Sequence, residues 1–447
     1  MAPVKAGWID VENWGNRRVT MTRERGADDV PASLRAQMVA ELRGPDGIIS
    51  QEVAAAIGVV PRHLFAPDVP LEDAYDPYTA PMVKRGEDGL ALSVMSATHI
   101  QAVMLEQAEV ARGMRVLEVG SGGYNAALIA ELVGQTGAVT TVDIDADITG
   151  RARGCLDAAG YERVHVVLAD AEHGVPDGAP YDRIIVTACA FDVPPAWLEQ
   201  LAPAGRIVVP LRLRGLTRSI AFDRTAEGIL VSSSYRLCGF VPIQGDGAHR
   251  ELIVPIEDGL FLHVDDRSQH FDPGSLRDAA RGEPLTVWSG LPFALPDELE
   301  LFLLTNAPDV AQLRASAELV EAGRFNASAG RGVPALVRDD GFAYRIKRPN
   351  SEVAGGFEIG VIAHGHNAEQ IAEEYCDLLR LWVHGFARRG AARIRYIPDA
   401  VSAASDQEDV IAVKPHGAVA ISWGDEASGT GTGGLPPVGG TGQHPFV

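Results

Sequence analysis

Residues 116–124 read Val-Leu-Glu-Val-Gly-Ser-Gly-Gly-Tyr, and no other stretch restricts the fold as sharply. Val116, Leu117 and Val119 form a short apolar run of the kind buried in a parallel sheet. Gly120, Ser121, Gly122 and Gly123 demand a tight turn, and residues 125–133, rich in Ala and Leu, read as a helix ended by Gly134. Strand, glycine loop and helix in that order open a nucleotide-binding α/β unit, because glycine lets the backbone approach a ligand with no side chain in the way. Three further apolar runs continue the pattern: 138–142, ending in Asp143-Ile144-Asp145; 164–168, ending in Asp170-Ala171; and 183–186, after Tyr181-Asp182.

The acids at these strand ends bear on which ligand the unit takes. A dinucleotide site sets its glycines against a pyrophosphate. An acid beside the loop, Glu118, instead repels phosphate and attracts the cationic amino acid end of S-adenosylmethionine. Asp143, about 20 residues past the loop, is placed for ribose hydroxyls, and Asp170 for an adenine amino group. The candidate donor-binding set is Glu118, Gly120, Ser121, Gly122, Gly123, Tyr124, Asn125, Asp143, Ile144, Asp170 and Ala171. The competing reading is a doubly wound domain that binds no methyl donor.

At 447 residues the chain has room for two to three domains. Its formal charge of -21 argues against a nucleic-acid partner, since phosphate binding needs a basic face. Cys155, Cys189, Cys238 and Cys376 are far apart with no CxxC pair, which suits a reducing cytoplasm. No apolar stretch of about 18 residues and no signal-like h-region is visible, so a soluble, cytoplasmic protein with no membrane partner is expected. Residues 1–30 read as a flexible lead-in and the Gly/Thr/Pro-rich 425–447 as a disordered tail. Short helices are expected at 34–42 and 50–57, the latter capped by Ser50, followed by a proline-punctuated segment 58–92 that wraps the core. A terminal hairpin is expected from 217–223 and 229–235. Beyond 236 the pattern becomes α+β, with strands at 260–264, 300–304, 357–363, 391–396 and 418–423. A long amphipathic helix over 368–389 opens with a capping box at Asn367 and Gln370.

In this order, Val60-Pro-Arg-His-Leu-Phe65, Met95-Ser-Ala-Thr-His99, Val116-Leu-Glu-Val-Gly-Ser-Gly122, Ala179-Pro-Tyr-Asp-Arg-Ile-Ile185 and Leu201-Ala-Pro-Ala-Gly-Arg-Ile-Val-Val-Pro210 resemble the protein-L-isoaspartate O-methyltransferases across residues 33–236. The departures are Val94 and Thr98, where the family has Thr and Pro, a donor loop one residue tighter, and a long added C-terminal region. The resemblance implies an α/β fold: a Rossmann-like S-adenosylmethionine-dependent methyltransferase core at 31–236 with an N-terminal helical cap. An added α+β substrate-recognition or accessory domain would occupy 237–424. It also implies transfer of a methyl to a carboxylate, leaving S-adenosylhomocysteine. Such an acceptor is already ionised near neutral pH and needs no general base.

Within that resemblance Ser96 is the first catalytic candidate. Its hydroxyl would donate to the carboxylate oxygen that does not attack, unless it merely caps the following helix, 99–109. Ser93 and His99 are the alternatives. Val94, Met95, Thr187 and Ala188 would meet the substrate, and the resemblance adds Thr187 to the donor-binding set. Arg212 and Arg214, with Arg218, form a basic cluster that could grip an acidic peptide or simply face solvent. His364, His366 and His384 lack a completing ligand set, so no metal is expected. The loop Gly-Ser-Gly-Gly-Tyr-Asn and Gly239-Phe-Val-Pro-Ile243 resemble a branch acting in ribosomal peptide natural-product pathways, of the lanthipeptide and graspetide kind. There the partner is a precursor peptide, already crosslinked in some pathways, whose aspartate ester closes to an aspartimide and opens to isoaspartate. General isoaspartyl repair, small-molecule carboxyl methylation and a non-catalytic donor-binding partner remain the competing readings. The oligomeric state is left open.

Overall fold

The computed structural model describes residues 30–43, 50–87, 89–265, 271–293, 296–307, 309–399 and 410–424. The expected lead-in and tail thus lie outside the described residues, apart from Val30. Among the described residues the chain forms two compact units, one within 30–211 and 218–248, the other within 212–217 and 249–424. The break after 248 falls later than the expected 236, and the short connection at 212–217 groups with the second unit.

The first unit opens with helices α1 (Val30–Leu42), α2 (Gln51–Val59) and α3 (Leu71–Ala74). Ser50 caps α2 as expected, its hydroxyl accepting from Val53 N. A two-stranded antiparallel ribbon, β1 (Met82–Arg85) and β2 (Ala91–Val94), precedes α4 (Thr98–Ala108). The core then alternates: β3 (Arg115–Val119), α5 (Tyr124–Val133), β4 (Ala138–Asp143), α6 (Ala146–Ala158), β5 (His165–Leu168), β6 (Tyr181–Val186), α7 (Pro195–Gln200), β7 (Leu201–Leu213), β8 (Leu216–Arg224) and β9 (Leu230–Leu237). Across the sheet the strand order is β9-β8-β7-β6-β3-β4-β5. Strands β3 to β7 pair in parallel, and β8 with β9 is the antiparallel hairpin expected from the sequence.

The order reverses between β3 and β6, because the chain winds outward through β4 and β5 and then returns to the other side of β3. A crevice must open there at the carboxyl ends of the strands. Helix α5 packs against β4 on the sheet and against α2, and nine of its ten residues are buried. A helix apolar on every side belongs inside the fold rather than on its surface. Leu128, Ile129 and Val133 are fully buried, so truncating Leu128 to Ala costs about 2–5 kcal/mol.

The second unit holds a seven-stranded antiparallel sheet. Its strands are β10 (Leu252–Glu257), β11 (Leu260–Val264), β12 (Leu285–Pro292), β13 (Val310–Ala315), β14 (Val333–Arg338), β15 (Gly341–Pro349) and β16 (Phe357–Gly365). They run β10-β11-β13-β14-β15-β16-β12. Helices α8 (Pro273–Arg281), α9 (Pro296–Asn306), α10 (Ala317–Glu321), α11 (Ala327–Arg331) and α12 (Ala368–Leu381) belong to the same unit, as do β17 (Arg393–Pro398), β18 (Val410–Lys414) and β19 (Gly417–Ser422). β19 pairs antiparallel with both β17 and β18.

Three local expectations fail here. The stretch 300–304 is helical, within α9; Leu299, Leu301, Phe302, Leu303 and Leu304 are all buried, and a short continuous apolar run carries no period that separates strand from helix. The long helix ends at Leu381 and continues as a π-turn over Trp382–Phe386. Asn367 precedes α12 without a capping hydrogen bond; its amide donates to Asp340, and Gln370 donates to Glu374. His364 lies flat between the rings of Phe342 and Phe325, with centroids 4.8 and 5.2 Å away, so it is a core residue rather than a ligand.

Candidate active site

The glycine loop is held by backbone geometry before any side chain contributes. Gly120 sits at φ 97° and Gly123 at φ 81°, conformations costly for other residues. Gly120 N donates to Val142 O on β4, and Thr187 N, just past β6, donates to Val119 O. The Thr187 hydroxyl donates toward Val119 O at 2.9 Å and Gly120 O at 3.1 Å. A Cβ on Gly120 would collide with that hydroxyl. The switch point is thus laced together by Thr187, which leaves no room for a side chain at position 120.

Beside this loop lies an open cleft. Val119, Gly120, Ser121 and Gly122 form its floor, Asp143, Ile144, Asp145 and Ile148 one wall, and Thr187 and Ala188 another. Leu92, Ser93 and Val94 of β2 close one side, and Val241, Pro242, Ile243 and Gln244 line it as well. The last group was absent from the expected site. It docks as an extended strap, with Cys189 N donating to Val241 O and Ile243 N to Cys189 O. No periodicity or motif spacing marks residues that reach a site only by such cross-chain pairing.

The acids behave differently from one another. Asp143 Oδ2 accepts from Ser121 N at 3.0 Å and Oδ1 from Asp145 N at 2.9 Å, so it shapes the loop while facing the cleft. Asp145, which the sequence reading passed over, faces the cleft too; it caps α6 and pairs with Lys84 at 2.6 Å. Glu118 does not face the cleft. It is fully buried behind the loop, accepting from Asn125 Nδ2 at 2.8 Å and Thr141 Oγ1 at 2.6 Å. Burial pushes its carboxyl up to about 7, against the opposing pull of those two hydrogen bonds. Asn125 is held by Glu118 behind the loop, and Tyr124 is buried against the ring of Phe65.

Asp170 is likewise committed to backbone, accepting from Glu172 N at 3.0 Å and Asp246 N at 2.8 Å, while its neighbour Ala171 lines the cleft. Asp170, His173 and Asp246 bring three possible ligand atoms within 4.8 Å of one another, and each oxygen of Asp170 also accepts one backbone N–H.

On the acceptor side, Ser93 and Val94 line the cleft; Met95 is buried and Ser96 half-buried, and neither is among the lining residues. Ser96 does not cap a helix: α4 starts at Thr98 with Ala97 as its cap. The backbone N–H of His99 donates to Pro77 O, its ring leans on Tyr78 at 5.1 Å, and burial lowers its pKa; it supports the turn from behind. Arg212 and Arg214 are no peptide grip. Arg212 pairs with Asp265 at 2.5 Å and with Glu251, Arg214 donates to Leu304 O, and Arg218 is fully buried.

The cleft fits a methyl-donor nucleoside. Among the described residues the Ser121 hydroxyl is buried without a hydrogen-bond partner and a Cβ at Gly122 would meet no atom within 4 Å, and the walls pair two carboxylates with branched aliphatic side chains. Comparison with known proteins agrees. The family model of protein-L-isoaspartate(D-aspartate) O-methyltransferases matches residues 33–248. A protein-L-isoaspartate O-methyltransferase of Methanopyrus kandleri is 38% identical over 226 residues, 50% of this chain and 97% of that protein.

The chain belongs to the protein-L-isoaspartate(D-aspartate) O-methyltransferase family.

It is an S-adenosylmethionine-dependent methyltransferase. A family protein of Ignicoccus hospitalis is 39% identical over 211 residues, 47% of this chain and 96% of that one. A solved structure titled as a protein-L-isoaspartate O-methyltransferase aligns over 81% of this chain and 96% of its own, at 22% identity and a TM-score of 0.45. The family match ends at 248, where the first compact unit ends. Among the described residues, no helix is long and apolar enough to cross a membrane.

Proposed function

We propose that this enzyme methylates a carboxylate derived from aspartate within a polypeptide, an L-isoaspartyl carboxylate in the first instance. The observation that supports this reading is the family match over nearly the whole length of relatives named for that substrate. The residues of the cleft divide the task. Ser121, Gly122, Asp143, Ile144, Asp145 and Ala171 would hold S-adenosylmethionine, which when bound supplies a methyl on a cationic sulfur. Leu92, Ser93 and Val94, opposite Thr187 and Ala188, receive the acceptor. Near neutral pH a free carboxylate is already the nucleophile, so the protein's work is alignment and exclusion of water rather than proton removal. Ser93 and Ser96 are the hydroxyls near that acceptor; Ser93 reaches the cleft directly, and Ser96 sets the turn that presents it.

A second reading is favoured by the second unit, which the family model does not include. In it the acceptor is an aspartate of a ribosomally made precursor peptide, and the ester closes to an aspartimide as the next backbone nitrogen expels methanol. One experiment tests both readings. Purified full-length protein is incubated with S-adenosylmethionine and either an L-isoaspartyl peptide or the precursor peptide encoded beside its gene, before and after crosslinking. Intact mass then reports one added methyl followed by loss of methanol. Turnover of the isoaspartyl peptide alone establishes the first reading, turnover of the precursor alone the second, and methylation of neither overturns both.

A further inference from the structure

Arg62 is a charged side chain that the site chemistry leaves unused, yet it is fully buried. It lies in the 3-10 turn Arg62–Phe65, directly after Pro61. Among the described residues it forms no ion pair. Its four hydrogen bonds all go to neutral oxygens: Nε to Ala74 O at 2.9 Å, one terminal nitrogen to Gln101 Oε1 at 3.1 Å, and the other to Ser96 O at 2.9 Å and Thr79 O at 3.4 Å. The face of the guanidinium lies 4.7 Å from the centroid of the Tyr124 ring. Burial lowers its pKa, as expected for a cation with no carboxylate in contact.

These five contacts connect separate pieces of the site. Ala74 ends α3, Thr79 lies in the segment leading to β1, Ser96 ends the acceptor turn, Gln101 is on α4, and Tyr124 opens α5 directly after the donor loop. A rigid planar fork of donors can span several fixed carbonyls at once, whereas an ammonium is a single flexible point. A buried cation is a costly way to fill space, and an apolar side chain of similar volume would pack there with less penalty. What the guanidinium supplies is geometry: one plane lies against the donor helix and holds the carbonyl of Ser96.

We propose that Arg62 is a positioning residue for methyl transfer, fixing the acceptor turn 92–96 relative to the donor loop. The proposal rests on the reading that this turn receives the carboxylate. Misplacement of a reacting group by about 1 Å costs on the order of 10²-fold in rate.

The test compares full-length wild type, Arg62→Ala, Arg62→Lys and Arg62→Met. Donor affinity is measured by calorimetry, kcat and KM on the isoaspartyl peptide, and amide exchange at residues 92–97 and 116–125. The expected result is a donor Kd within about 3-fold of wild type and kcat per folded molecule lower by about 10²-fold. Exchange should quicken at 92–97 and not at 116–125. Millimolar guanidinium should restore kcat to Arg62→Ala, and Arg62→Lys should not recover it. Unchanged exchange at 92–97, or activity lost only in proportion to unfolded protein, overturns the proposal. Wild type that methylates no peptide sinks the acceptor reading instead, and the exchange measurement still decides the role of Arg62. If Arg62→Ala does not fold, Arg62→Lys and Arg62→Met carry the same comparison.

Discussion

Replacing Glu118 with Gln should shift stability in favour of the variant as pH rises to neutrality, an unusual outcome for a fully buried residue beside an active site. The folded pKa of Glu118 is raised from 4.5 to about 7, chiefly by desolvation. For a raised acid the sign is fixed. Between those two values the folded state keeps its proton and the unfolded state does not, so stability is fully present below 4.5 and is lost as pH rises toward 7. Each unit is worth about 1.4 kcal/mol, so the full window is worth on the order of 3 kcal/mol. From about pH 5.5 upward only the last 1.5 units or so remain, about 2 kcal/mol. Gln has the same shape, cannot ionise, and keeps an acceptor for Asn125 and a donor for the Thr141 hydroxyl. Urea unfolding of both proteins at about pH 5.5, 6.5, 7.5 and 8.5 measures the difference. The stability of Glu118→Gln minus that of wild type should grow by about 2 kcal/mol across the series and level off above about pH 7.5. A difference that stays flat would mean Glu118 ionises without penalty, and the argument that it lies desolvated behind the loop would be wrong.

Other outcomes follow from the same geometry. Gly120→Ala should abolish donor binding in calorimetry, because its Cβ meets the Thr187 hydroxyl and its φ is 97°; Gly120→Ala with Thr187→Ala relieves the collision but not the strain, so binding should return only in part. Thr187→Val keeps the shape and removes the hydroxyl that donates to Val119 O and Gly120 O, which should weaken donor binding by about 1 kcal/mol, roughly 5-fold in Kd. His364 behaves opposite to Glu118. Its folded pKa is pushed down from 6.5 to about 4, so its contribution is present above 6.5 and is lost as pH falls through that window. His364→Phe should therefore gain up to about 3 kcal/mol over wild type near pH 4 in urea unfolding, with no gain at pH 7.5 or so.

The doubly wound core could be read from the sequence because its signals are local. Glycine conformation, apolar runs bounded by turns and the acids that follow the second and third of those runs are properties of adjacent residues, and the strands from Val116 to Val186 lie where those properties put them. Ser50 capping α2 and the hairpin β8–β9 could be read for the same reason. What failed were assignments that depend on where a side chain points once the chain is folded. Glu118 has the right spacing for a donor-facing acid, yet its strand position turns it into the core, where Asn125 and Thr141 hold it. Arg212 and Arg214 look like a solvent-facing basic pair until Asp265, Glu251 and the carbonyl of Leu304 arrive from far along the chain.

Residues 241–244 mark the boundary between the two kinds of information. By itself the sequence determines that a glycine loop follows β3, since Gly120, Ser121, Gly122 and Gly123 directly after an apolar run demand a tight turn. That a strap some 120 residues later lines the same cleft follows from two hydrogen bonds to Cys189, made only when β6 and the segment after β9 come together. Local conformation is encoded within a few residues. The walls of a binding site are set by the closure of loops hundreds of atoms long, and only the folded sheet brings those ends within hydrogen-bond reach.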